Sequence, residues 1–157
     1  VYLHQMPGGQ YTNLREQARS MGINDERWPE LASMYAEVNK IFGDVIKVTP
    51  ISKVVGDMAI YMLANNIQIS DILDPNKDVG FPASVIEFFS GRLGQPYKGF
   101  PKALQKKILK GKKPISYRFG SKLPSLNIKN RTKELEKTFK EKISEKDTLS
   151  QIFFPEV

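Results

Sequence analysis

Cysteine is absent from this 157-residue chain, and histidine occurs once, as His4. The first absence excludes disulfide frameworks and thiolate nucleophiles. The second argues against a self-contained zinc site or a histidine-based triad. No apolar run approaches the ~20 residues a membrane span needs, and no signal-peptide pattern opens the chain, so no membrane partner and a cytoplasmic location are expected. Acidic residues are scarce in one region. The chain carries +7 overall, but residues 102–146 hold 15 Lys/Arg against four Glu, and the remainder is net acidic.

That basic segment admits three readings: a solvated helical surface, a nucleic-acid footprint, or a docking face for an acidic partner. It contains 13 Lys to two Arg, whereas base readout favours the forked groups of Arg and Asn. Its aromatics are sparse, with only Tyr117 and Phe119 close together, which argues against a single-strand stacking platform.

The length suits one domain of ordinary size, and 40% hydrophobic residues are enough for a core. The period is helical nearly throughout. Thr12 to Met21 has good helix formers and stops at Gly22. Trp28, Leu31, Tyr35, Val38 and Phe42 recur at three and four and form one apolar stripe. After an extended approach from Ile46 to Val48, Thr49 is a candidate N-cap with Pro50 at the first helical position, and the helix runs to about Asn65. Short helices are predicted at Ile69–Leu73, Pro82–Ser90 and Pro101–Lys110. Residues 112–128 lack helical period, and Glu134–Ile143 and Asp147–Phe154 close the chain. The expected class is all-α, divided into 1–126 and 127–157.

The chain starts Val1-Tyr2-Leu3 and stops on Phe153-Phe154-Pro155-Glu156-Val157, an apolar end where termini are ordinarily polar. A piece of a longer protein is therefore expected. The loops carry most of the functional signal. Pro7-Gly8-Gly9-Gln10 before a helix is either a plain turn or an anion cradle in which the glycines permit positive φ. Thr49 before Pro50 is either a helix cap or a placed hydroxyl.

Three blocks tip these alternatives together: His4 through Leu14 (HQMPGGQYTNL), Gly43 through Asp57 (GDVIKVTPISKVVGD), and Phe81 through Pro101, which opens FPASVIEFF. In that order they resemble the region following the barrel in pyruvate carboxylase carboxyltransferase domains. The resemblance covers roughly residues 1–126 well and the rest loosely. It implies a helical funnel segment over the mouth of a TIM barrel, with the barrel itself outside this chain, since a barrel alone needs about 250 residues. The oxaloacetate decarboxylase α subunit and transcarboxylase of the same superfamily are the alternatives. Gln10-Tyr11 and Glu87-Phe88-Phe89 favour the carboxylase.

The resemblance further implies an ATP- and biotin-dependent ligase that moves a carboxyl group from carboxybiotin to pyruvate, giving oxaloacetate. The expected partners are the rest of the barrel, a biotin carboxyl carrier domain and, in the parent, further copies of the chain. ATP and a divalent metal belong to parts of the parent with no ligands here. The Thr of the family's Val-Thr-Pro matches Thr49, whose hydroxyl would relay a proton as the catalytic residue, because a hydroxyl both donates and accepts. Ser52 and Lys53 match biotin-pocket positions. Alone, the 157-residue piece is expected to be inactive. The sequence departs from the pattern at Ile51, where a small Ser is common, at Tyr97-Lys98, and across 117–125. The contrasting reading, from another class, is an independent basic helical module that binds nucleic acid or a partner.

Overall fold

The computed structural model describes His4 and residues 6–155. Among the described residues the secondary structure is entirely helical. The order is α1 (Gly8–Ser20), α2 (Trp28–Ile41), α3 (Ile51–Ala64), α4 (Ile69–Leu73), α5 (Ala83–Phe89), α6 (Lys102–Leu109), α7 (Ile128–Phe139) and α8 (Glu145–Phe153). Short 3-10 turns occur at Asp25–Arg27 and Phe119–Lys122. The chain forms two compact units that divide between Ser121 and Lys122.

In the first unit α3 is the shaft around which the others pack. Val54, Val55, Met58, Ala59, Met62 and Leu63 are buried along it, and α2, α5 and α1 contact it. The apolar stripe of α2 meets this helix as its periodicity predicts, with Leu31, Tyr35, Val38 and Phe42 fully covered. Phe42 sits in an aromatic cluster with Phe88 and Phe89 at centroid distances of 6.2 and 5.0 Å. Phe100 closes the cluster at 5.1 Å from Phe88. Tyr11 meets Trp28 edge-on at 5.0 Å and ties α1 to α2.

Three sequence expectations shift. Helix α1 starts at Gly8, not Thr12, with Pro7 as N-cap, so the glycines lie inside the first turn. Neither has positive φ, so of the two readings the positive-φ cradle does not form, and the plain turn is taken up into the helix. Thr49 is not the cap of α3; Pro50 holds that place, and no side chain caps the helix. The Thr49–Pro50 peptide is cis. Helix α7 starts six residues early because Asn127 accepts a hydrogen bond from the Asn130 backbone N–H at 3.0 Å, a cap the apolar period does not signal.

Gly91 follows α5 with φ +87, and a Cβ there would stand 2.5 Å from the Ile115 carbonyl oxygen. That carbonyl is fixed, since the Ile115 N–H donates to Ser90 O at 2.7 Å and Gln95 Nε2 donates to Ile115 O at 2.7 Å. Gly91→Ala therefore meets a left-handed backbone penalty and a backbone clash together. A loss of about 2–4 kcal/mol is expected in urea unfolding.

Arg15 and Arg19, one turn apart on α1, both grip Asp25 at 2.9 and 2.5 Å. The hydrogen bonds from Arg19, then those from Arg15, hold the Asp25 carboxyl well below the usual carboxylate range. A lowered carboxyl adds stability above its unfolded pKa, near 4, which is lost as pH falls through the folded value. The acid limb of a stability–pH curve should consequently be shallower for Asp25→Asn than for the parent chain.

The second unit is a hairpin of α7 and α8 with a thin interior. Among the described residues Leu135 and Thr148 are its buried ones. Thr132 and Thr148 hydroxyls bond at 2.9 Å, and Arg131 Nη2 donates to Gln151 at 2.9 Å. Leu123, Leu126, Phe139, Phe153 and Phe154 are exposed. The basic segment is thus shared between units. On α6 part of it has structural partners: Lys107 Nζ donates to the carbonyls of Asp71, Ile72 and Asp74, and Lys110 pairs with Asp78.

Candidate functional site

The site residues expected from the sequence gather at the start of α3, with Ser52 and Lys53 in its first turn and Thr49 just ahead of the Pro50 cap. Val48 O accepts from Ser52 N–H at 3.2 Å, and Pro50 O accepts from Lys53 N–H at 3.1 Å, so backbone atoms close this turn. The Thr49 hydroxyl is consequently not spent on capping, and the residue is exposed. Ser52 is covered, at 6% exposure, on the side of α3 that faces the core. Lys53 is open to solvent on the adjoining side. Thr49 and Lys53 therefore present a neutral hydroxyl and an ammonium group at one exposed end of α3.

Lys53 Nζ donates to Asp57 Oδ2 at 2.6 Å, one turn along the same helix. Ser84 Oγ, from the first turn of α5, donates to that oxygen at 2.6 Å. Such an i,i+4 pair contributes only about 0.3–0.5 kcal/mol at a surface. Its weight as a stability device is small.

The three sequence blocks meet on this stretch. The first arrives through α1: a Cβ on Gly56 would lie 2.8 Å from Leu14 Cδ1 and nearer still to the buried Gln10 amide. Only a residue without Cβ lets α1 approach so closely. The second block contains the stretch itself, and the third reaches it through Ser84. Residues separated by up to 74 positions thus converge on one and a half turns of α3. The Lys53–Asp57 spacing is visible in sequence, but nothing local marks Ser84 or Gln10 as its neighbours.

Beside this turn lies a largely apolar cavity of about 350 Å³, walled by Gly43–Ile46, Val48, Ile51, Phe88 and the 93–98 loop. Ile51, Tyr97 and Lys98, three positions at which the sequence departs from the expected pattern, all line it. The departures change this cavity's wall and leave Thr49, Ser52 and Lys53 as they are. Among the described residues no group of three His, Cys, Asp or Glu could hold a metal ion. No described helix is long and apolar enough to cross a membrane.

Comparison with known proteins places this geometry. The family model described as the conserved carboxylase domain matches residues 1–157. Pyruvate carboxylase of Bacillus subtilis is 46% identical over the whole chain, and pyruvate carboxylase 1 of Caenorhabditis elegans is 43% identical. The chain spans only 14% and 13% of these relatives' lengths. The carboxyl transferase domain of Rhizobium etli pyruvate carboxylase, solved with pyruvate and biocytin, superposes with a TM-score of 0.92 at 47% identity. That match covers 99% of this chain and 26% of that one. The complete multifunctional Rhizobium etli enzyme gives 0.92 at 47%, with 15% of its chain covered. The match over its whole length, with relatives this similar across all of it, shows that the chain belongs to the conserved carboxylase domain family.

Proposed function

We propose that this chain supplies the proton-relay hydroxyl and part of the biotin pocket of a pyruvate carboxylase, in the step that forms oxaloacetate from pyruvate. The observation that carries this reading is the Thr49 hydroxyl, exposed at the start of α3 and unused by the helix, four residues before Lys53, whose ammonium is held by Asp57. Biotin, when bound, delivers the carboxyl group. Thr49 Oγ accepts a proton from the pyruvate methyl group and gives up its own towards the biotin ring, so the hydroxyl ends as it began. Lys53 places positive charge where an oxygen gains negative charge. Ser52, nearly covered, would reach a ligand only through its remaining exposed edge.

ATP, the divalent metal and the pyruvate-binding groups belong to the remainder of the parent. The isolated chain should accordingly show no oxaloacetate formation or decarboxylation. Residues 127–157 lead towards the next domain. The pyruvate carboxylase reading is favoured over a decarboxylase or transcarboxylase by Gln10-Tyr11 and by Glu87-Phe88-Phe89, two of whose rings lie in the core. A nucleic-acid role is disfavoured by the structural engagement of Lys107 and Lys110.

The test is replacement of Thr49 in the intact enzyme, read as two partial reactions. Loss of pyruvate-dependent oxaloacetate formation with retained bicarbonate-dependent ATP cleavage supports the relay. Retention of both overturns it.

A further inference from the structure

The relay leaves two residues of the sequence blocks without a role, Asp57 and Ser84. Asp57 is a carboxylate with only 18% of its side chain exposed, and a charge so far withdrawn from water needs partners. It has two, and both bond the same oxygen, Oδ2: Lys53 Nζ and Ser84 Oγ, each at 2.6 Å. Ser84 comes 27 residues later and from another helix. The carboxylate is thereby triangulated between α3 and α5 and cannot swing with α3's surface alone.

Lysine leading aspartate is the weaker order for an i,i+4 pair on a helix. The core already anchors α3, so a surface pair on it adds little tethering and needs no second helix to aim its carboxylate. What the arrangement does determine is the direction of a long, freely rotating lysine stem. An ammonium group has three donors, and Asp57 takes one, leaving two for a ligand.

We infer that Asp57, oriented by Ser84, is a positioning residue for Lys53, fixing the direction of its ammonium on the exposed side of α3 with two N–H groups left for an anionic oxygen of the biotin ureido group. This rests on the biotin-pocket reading of Lys53. Asp57 touches neither substrate nor cofactor; it acts through the lysine.

The experiment uses the intact biotinylated carboxylase with Asp57→Asn, Ser84→Ala and Lys53→Met, singly and in pairs. Asp57→Asn should lower kcat for oxaloacetate formation about 10-fold, the scale of a misplaced reacting group. The KM for pyruvate should stay unchanged, because Lys53 faces the other reactant. Ser84→Ala should cost ~3-fold, less than Asp57→Asn, because the carboxylate loses one hydrogen bond but keeps its charge and its bond to Lys53. On a Lys53→Met background neither change should cost anything further. Full additivity on that background, or unaltered kcat in both single variants, would overturn the assignment. Should Asp57→Asn also lose ATP cleavage through misfolding, the Ser84→Ala pair of measurements decides alone. A Lys53→Met enzyme with full turnover removes the biotin-pocket reading itself, and this inference with it.

Discussion

Thr49→Ala in the intact carboxylase should lower pyruvate-dependent oxaloacetate formation by about 10²-fold or more, the scale of general acid–base catalysis. Bicarbonate-dependent ATP cleavage should persist. Alanine keeps the backbone and the β-carbon and removes the γ-methyl together with the hydroxyl, the group that can accept one proton while donating another. The structure makes this substitution unusually clean. A capping threonine would take about 1 kcal/mol of helix stability with it, but Thr49 does not cap α3, whose first turn is closed by Val48 O and Pro50 O. The unfolding midpoint should therefore hardly move. Thr49→Ser, which restores the hydroxyl, should recover most of the turnover, whereas Thr49→Val, similar in volume but with no hydroxyl, should resemble alanine. Equal activity of the serine and valine enzymes would exclude the hydroxyl from the reaction.

The largest effect on stability is expected at Phe42→Ala. Phe42 has no exposed surface and its ring contacts those of Phe88 and Phe89. Removing such a ring loses its transfer free energy and leaves a cavity that packed neighbours fill only in part, costing about 3–5 kcal/mol. Against a typical total of 5–15 kcal/mol this is a large share. With a urea dependence of roughly 2 kcal/mol per molar, the midpoint should fall by about 2 M. Phe42→Leu should cost much less, since it keeps most of the buried volume. Phe88 also walls the cavity beside Val48 and Ile51, so the alanine variant should loosen the approach to Thr49 as well. A midpoint shift below about 0.5 M would show that the cluster rearranges to fill the gap.

The helices were readable wherever a stripe at three and four meets a single partner surface, as in α2 and α3. They were misplaced where the boundary depends on something other than the stripe. Asn127 extends α7 by capping it, and Pro7 starts α1 early through a backbone that tolerates two glycines in the first turn. The site divides the same way. Thr49, Ser52 and Lys53 are neighbours along the chain, and their proximity is a property of sequence. Their environment is not: Ser84 and Gln10 reach α3 from 27 residues ahead and 46 behind Asp57 and Gly56, and only tertiary packing brings them there. The burial of Ser52 likewise follows from which side of α3 the other helices occupy.

Since α3 carries buried residues for most of its length, its rotation and advance are set by the core. A slip of one residue would turn each side chain by about 100° and shift it about 1.5 Å along the axis. Lys53 would then be driven towards the interior and Gly56 would lose its place under Gln10. The core thus serves the chemistry as a gauge block serves a machinist, setting a small tolerance from a large rigid part. An inserted or deleted residue between Thr49 and Asp57 would be a graver injury than most substitutions there, because no repacking of the interior could bring both ends of the stretch back into alignment.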